Sequence, residues 1–221
     1  MSVWALLVAA GAGERLGADR PKAFVRLGEL PLLAEPLRRL DRSEWVDAIV
    51  VAVPSGWEEP AILLAEELSA GKVVAALAGG ESRAESVRTA LGEVPDDALV
   101  ALVHDAARPL LTDEVIGRVL APLSQGWDGV VPGLPLVDTI KTVEGQRVTG
   151  TVARETLVAV QTPQAFSLPV LRRAYTGDLG DATDCSALVE ARGGRLAWVE
   201  GDPRLLKVTS RADLELVASW L

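Results

Sequence analysis

The sequence predicts an α/β fold: a single Rossmann-like domain with a mostly parallel central sheet, helices on both faces and a protruding β-arm. Three observations predict it. Short apolar runs alternate with segments of helical periodicity, the pattern of strand–helix–strand units. The first apolar run leads directly into a glycine-rich loop. The alternation then breaks once, between residues 134 and 162, where an extended hairpin is expected. The 221 residues, 49% of them hydrophobic, suffice for one large domain with a sizeable core, and no linker, repeat or low-complexity stretch divides them.

In order along the chain, strands are expected at 3–10, 46–53, 73–77, 98–104 and 128–132. Helices are expected between them near 32–41, 57–70, 82–91 and 112–124. Leu33, Leu37 and Leu40 form one helical stripe, and Ile62, Leu63, Glu66 and Leu68 a rougher one. Leu136 to Val143, then Glu144-Gly145-Gln146, then Arg147 to Val152 reads as the hairpin, an arm at about 134–156 suited to pairing subunits. Such an arm cannot bury an apolar face alone. The chain returns through helices near 168–175 and 183–192, a strand at 195–200 and a last helix at 210–220. Thr209 or Ser210 is expected to cap that helix, with Asp213 in its first turn.

The stretch from Val3 to Lys22 organises the rest. Gly11, Gly13 and Gly17 let the backbone approach a ligand and turn its N–H groups toward an anion, while Arg15 and Lys22 add positive charge. No G-x-x-x-x-G-K-[ST] string occurs, so this is not a Walker loop. The spacing Gly11-x-Gly13-x-x-x-Gly17 is one residue too long for a dinucleotide fingerprint, and Pro21 follows. A plain strand-to-loop turn stays open; a nucleoside triphosphate site is the functional reading. In parallel sheets ligands bind beyond the carboxyl ends of strands. A second loop at such an end is His104-Asp105-Ala106-Ala107-Arg108-Pro109.

Composition narrows the partners. A net charge of −9 argues against nucleic acid, so a triphosphate would meet local cations and a divalent metal. No apolar run approaches the ~18 residues of a membrane span, and no signal peptide is expected. The single cysteine, Cys185, excludes an internal disulfide and fits a reducing cytoplasm. Asparagine is absent, a bias shared by heat-loving sources and GC-rich coding. Four lysines stand against eighteen arginines. Positions that keep lysine are therefore candidates for a compact ammonium on a flexible stem. They are Lys22, Lys207, Lys141 (structural in the arm) and Lys72 (a solvated loop residue).

Several strings occur in a fixed order: A-A-G-A-G-E-R-L-G at 9–17 with P-K at 21–22, G-G-E-S-R-A-E-S-V at 79–87, V-H-D-A-A-R-P at 103–109, D-T-I-K at 138–141, Q-T-P-Q at 161–164, T-D at 183–184, V-E-G-D-P at 199–203 and K-V-T at 207–209. Together, over nearly the whole chain, they resemble the 2-C-methyl-D-erythritol 4-phosphate cytidylyltransferases of the non-mevalonate isoprenoid pathway. The resemblance implies a nucleotidyltransferase that makes a CDP-linked polyol and pyrophosphate from CTP, with Mg²⁺. It implies catalytic roles for Arg15, Lys22 and Lys207, and metal binding by Asp105. It places the cytidine nucleotide at Ala10, Gly11, Ala12, Gly13, Gly80, Glu81 and Ser86. It places the polyol phosphate at Arg108, Thr139, Arg154 and Thr162, with Thr139 and Arg154 from the partner's arm in a homodimer. His104 is expected as a buried strand-end histidine, since a phosphate nucleophile asks for no general base.

Two positions depart from the family pattern: Cys185, where an acidic residue is usual, and Leu205, where asparagine is often found. Ribitol 5-phosphate as acceptor, or CTP binding without turnover, are the alternatives.

Overall fold

Apolar strands that match expected runs build the parallel half of a sheet that the computed structural model describes over residues 2–11, 13, 19–180, 182 and 184–221. In chain order the elements begin with β1 (Val3–Val8), a 3-10 turn (Lys22–Phe24), the short pair β2 (Arg26–Leu27) and β3 (Leu30–Pro31), and α1 (Ala34–Arg42). Next come β4 (Ala48–Val53), α2 (Glu58–Glu67), β5 (Val73–Ala78), α3 (Arg83–Leu91), β6 (Val100–Asp105) and α4 (Asp113–Leu120). The second half holds β7 (Gly129–Pro135), β8 (Ile140–Glu144), β9 (Arg147–Val152), β10 (Val158–Val160), β11 (Gln164–Ser167), α5 (Leu168–Ala174), α6 (Cys185–Glu190), β12 (Leu196–Glu200) and α7 (Arg211–Ala218).

The main sheet runs β10-β7-β11-β6-β1-β4-β5, with β12 on β7. Pairings β5–β4, β4–β1, β1–β6 and β7–β12 are parallel, whereas β11 runs antiparallel to both β6 and β7. All six residues of β4 and all six of β6 are buried, as in a strand covered on both faces. Alternate residues face opposite ways. Leu7, Ile49, Val51 and Leu102 meet Leu37 and Leu40 of α1, Leu64 of α2 and Val115 of α4. Leu6, Val50, Ala101 and Val103 meet Val87 of α3, Leu171 of α5 and Leu188 of α6. The expected architecture is therefore present. Among the described residues no helix is long and apolar enough to cross a membrane.

Some details differ from expectation. The helix expected at 112–124 ends at Leu120 and tightens into a 3-10 turn over Ala121–Gln125, because Pro122 has no N–H to continue the α pattern. Strands β10 and β11 were not expected: three and four residues are too few to show a period. Phe166 of β11 is fully buried, and a Cβ on Gly129 opposite it would come within 2.4 Å of its ring. Lys72 is a tether rather than a solvated lysine: its Nζ donates to the Ser43 carbonyl at 2.6 Å, and its N–H to Asp41 at 2.9 Å.

Candidate active site

The carboxyl ends of β1, β4, β5 and β6 open into one pocket of about 600 Å³. The chain turns back here: β4 and β5 lie on one side of β1 and β6 on the other, the crevice where ligands of such sheets sit. Ala10 and Gly11 follow β1, Gly80 and Glu81 follow β5, and Asp105 ends β6; all line the pocket, as do Ser86, Lys22 and Lys207.

Each wall has a local cause. Beyond β5, Ser82 caps α3 by accepting from the Glu85 N–H while Glu85 returns a bond to the Ser82 N–H. Ser86 turns its hydroxyl to the Ser82 carbonyl at 2.9 Å. A Cβ on Gly79 would sit 2.5 Å from the Ala10 Cβ and 2.6 Å from the Ser86 Oγ, so glycine is what lets the two loops meet. Gly13 has φ +73°, and a Cβ there would strike the Lys22 Cβ at 2.5 Å. Gly11 instead faces open space, consistent with a close backbone approach by a ligand. Lys22 opens the 3-10 turn, which Phe24 pins by packing on Trp57 with ring centroids 4.4 Å apart. Ala12, Arg15 and Gly17, singled out in the sequence, lie outside the described residues.

Asp105 is the hub. Arg83 Nε donates to its Oδ1 at 2.8 Å and Lys207 Nζ to its Oδ2 at 2.7 Å. Burial opposes ionisation of this carboxyl, but the Arg83 and Lys207 charges prevail and hold its pKa well below the usual carboxylate range. The Asp105 N–H donates to Thr162 Oγ1 at 3.0 Å, and Thr162 lies 3.0 Å from His104 Nδ1. His104 Nε2 lies 3.0 Å from the Arg108 carbonyl. A carbonyl can only accept, so Nε2 carries the proton and Nδ1 accepts from the Thr162 hydroxyl. The ring is fully buried, and desolvation, outweighing its carbonyl partner, lowers its pKa to about 4. A neutral histidine tying β6 to the 161–164 segment matches the expectation of a structural rather than a basic role.

The Q-T-P-Q string fastens three segments. Gln161 accepts from the Asp202 N–H at 3.0 Å and donates to the Asp202 carbonyl at 2.9 Å. A Cβ on Gly201 would lie 2.2 Å from Gln161 Oε1, which explains the glycine of E-G-D-P. Thr162 holds Asp105, and Gln164 donates to Asp184 at 2.8 Å. Lys207 is set at the pocket by this irregular segment: the Arg108 guanidinium donates to the Leu205 carbonyl at 2.7 Å, and the Val208 N–H to the Ala107 carbonyl at 2.8 Å. Beyond it, Ser210 and Asp213 form the capping box of α7.

Of the residues expected at the polyol phosphate, Thr162 is buried with its hydroxyl committed at both ends, and Arg108 supports the Lys207 segment. Thr139 and Arg154 are exposed and do not line this chain's pocket; Arg154 donates to the Val137 carbonyl. Arg83 was missed in the sequence. Its signal was an arginine at the first position of α3, inside the capping box that follows the Gly79-Gly80 turn, a position that faces the pocket. Among the described residues no three His, Cys, Asp or Glu side chains gather to hold a metal. Asp105 nonetheless suits a Mg²⁺ held chiefly by phosphates: its two oxygens each accept one bond and retain further lone pairs beside the pocket.

The family model described as 2-C-methyl-D-erythritol 4-phosphate cytidylyltransferase matches residues 3–221. The chain belongs to this family. The cytidylyltransferase of that name from Nocardia farcinica is 45% identical over 221 residues, all of this chain and 94% of the relative. That from Rubrobacter xylanophilus is 40% identical, covering 98% of this chain and 94% of the relative. The crystal structure of the Thermus thermophilus enzyme superposes with a TM-score of 0.80 at 32% identity, covering 97% of this chain and 96% of that one. Both departures from the family's pattern are buried here: Leu205 joins the core, with its backbone carbonyl anchoring Arg108, and Cys185 lies behind Arg83.

Proposed function

We propose that this chain transfers a cytidylyl group from CTP to 2-C-methyl-D-erythritol 4-phosphate, giving 4-diphosphocytidyl-2-C-methyl-D-erythritol and pyrophosphate. The observation that carries this reading is Asp105 held between Arg83 and Lys207 in the wall of a pocket that glycine turns border, in a member of this family. An oxygen of the acceptor phosphate forms a bond to the α-phosphorus in line with the leaving group, and the bond from that phosphorus to the bridging oxygen breaks as pyrophosphate leaves. A phosphate monoester with a second pKa of ~6 is already ionised near neutrality, so no base is needed. The difficulty is bringing two anions together, and cations placed in advance meet it.

Lys207 faces the α-phosphate, and Lys22, with Arg15, faces the charge that grows on the leaving pyrophosphate. Ala10, Gly11, Ala12, Gly13, Gly80, Glu81 and Ser86 hold the nucleotide. Asp105 would hold Mg²⁺ together with phosphate oxygens, and the bound ion would neutralise phosphate charge. The acceptor meets Arg108 from this chain, with Thr162 acting through its bond to Asp105, and Thr139 and Arg154 from the arm of a second copy in a homodimer. Support for the shared site is that the arm pairs only with itself and exposes Val137, Val143 and Val148, apolar side chains that a two-stranded hairpin cannot bury alone. The free thiol of Cys185 favours a cytoplasmic setting.

The test is pyrophosphate release from CTP and Mg²⁺ with 2-C-methyl-D-erythritol 4-phosphate or ribitol 5-phosphate. Turnover with the first alone is expected. Turnover mainly with ribitol 5-phosphate would keep the chemistry and change the acceptor. Tight CTP binding without release from either would leave a binding module.

A further inference from the structure

Behind the pocket lies a buried contact that the reaction as described does not use. Arg83 directs Nε to Asp105, and its Nη1 lies 3.4 Å from Cys185 Sγ. The Tyr175 hydroxyl donates to the same sulfur at 3.1 Å. Cys185 is fully buried at the start of α6, and the helix start is fixed in turn: Asp184 caps it through the Ala187 N–H at 2.9 Å and receives Gln164 at 2.8 Å. Sulfur is a weak acceptor, but here its place is set from two sides, by a capped helix and by a buried phenol.

We infer that Cys185, backed by Tyr175, is a positioning residue for the transfer reaction: its sulfur holds the far edge of the Arg83 guanidinium so that the near edge faces Asp105. The guanidinium is planar, so fixing one nitrogen fixes the direction of the others. Asp105 is then presented between Arg83 and Lys207 in one orientation. Burial pushes the Cys185 thiol up, so it stays neutral and competes little with Asp105 for the arginine's charge. Position 185 thereby steers Arg83 with a dipole where an acidic side chain would use a full charge. The kinetic part of this inference rests on the activity proposed above; the geometric part does not.

Two measurements test it. In the first, kcat and KM for pyrophosphate release are compared for wild type, Cys185→Ala, Cys185→Ser, Arg83→Met and the Cys185→Ala/Arg83→Met pair. Losing one hydrogen bond to a charged group is expected to lower kcat roughly tenfold in Cys185→Ala, with KM for CTP changed less. Cys185→Ser, which keeps a neutral acceptor, is expected to recover most of that loss. In the Arg83→Met background Cys185→Ala is expected to cost nothing further. Equal losses with and without Arg83, or wild-type kcat in Cys185→Ala, would overturn the inference.

The second measurement needs no turnover. The Arg83 Nε–H resonance of arginine-labelled protein is expected to shift in Cys185→Ala and to return toward its original position in Cys185→Ser. An unmoved resonance in Cys185→Ala would refute the positioning role. If wild type released no pyrophosphate but the resonance behaved as expected, the proposed function would fail and the geometric inference would stand.

Discussion

The pocket and the hairpin arm both present polar side chains, but they hold them differently. Asp105 is gripped by residues 22, 57 and 102 positions away in sequence, on elements fixed by two hydrophobic cores. In the arm, Lys141 bonds Thr151 and Thr149 bonds Thr142, partners only 10 and 7 positions apart and exposed. β8 and β9 pair in a sheet of their own, and a lone two-stranded hairpin is marginal in water. The pocket is preorganised by one chain. The arm's hydrogen bonds are local and open to water.

The largest effect that would sharpen this contrast is expected at Lys207. Lys207→Ala should lower kcat about 10²–10³-fold, as loss of a transition-state cation does, while calorimetry should find CTP affinity mostly kept. Arg83 remains to hold Asp105 in that variant. A loss confined to affinity would move Lys207 from catalysis to binding.

Acid should loosen the pocket's frame before it neutralises the pocket's carboxylate. His104 has a folded pKa near 4 against an ordinary value of 6.5, so between these the unfolded chain takes a proton that the folded chain does not. Its contribution is fully present above pH 6.5 and is lost as pH falls toward about 4, to a maximum of ~3 kcal/mol. The contribution of Asp105, also depressed, is lost only at lower pH. Urea denaturation across that range should show the His104 slope in wild type and a flatter one in His104→Gln.

In the arm, Arg154→Ala should raise KM for the acceptor roughly tenfold with the fold's stability unchanged, the loss of one charged contact. With the acceptor well below its KM, mixing Arg154→Ala with Lys207→Ala should then restore up to about a quarter of the wild-type rate. Random pairing makes half the dimers mixed, and each mixed dimer keeps one intact site if sites are shared. No recovery would return Arg154 to a role within its own chain. The smallest effect is expected outside both regions, at Leu63, 55% exposed on α2: Leu63→Gln should change unfolding free energy by no more than ~0.5 kcal/mol in urea melts.

How much of the site was legible depended on the range of the forces that made it. Lys22, Lys207, Asp105 and the first glycine loop stood out because a rare lysine, a strand end or a run of spaced glycines is visible locally, whereas Gly80, Glu81 and Ser86 were reached only through the resemblance. Arg83 did not, since one arginine among eighteen carries no mark until α3 turns it toward Asp105. The bonds by which Thr162 joins Asp105 to His104 are likewise invisible in sequence, since its partners lie 57 and 58 positions away. Cys185 was visible as the one cysteine and as a departure from a pattern; the arginine beside it comes from 102 positions away.

The sequence by itself determined the α/β alternation, the buried strands, the hairpin and the helix caps, because periodicity, turn chemistry and capping act over a few residues. Tertiary structure alone decided that β11 enters antiparallel between β6 and β7, that Q-T-P-Q fastens three separate segments, and that Arg83 and Lys207 share one carboxylate. Those contacts join residues as far as 102 positions apart, and only packing of the two cores on opposite faces of the sheet brings such residues within hydrogen-bonding distance.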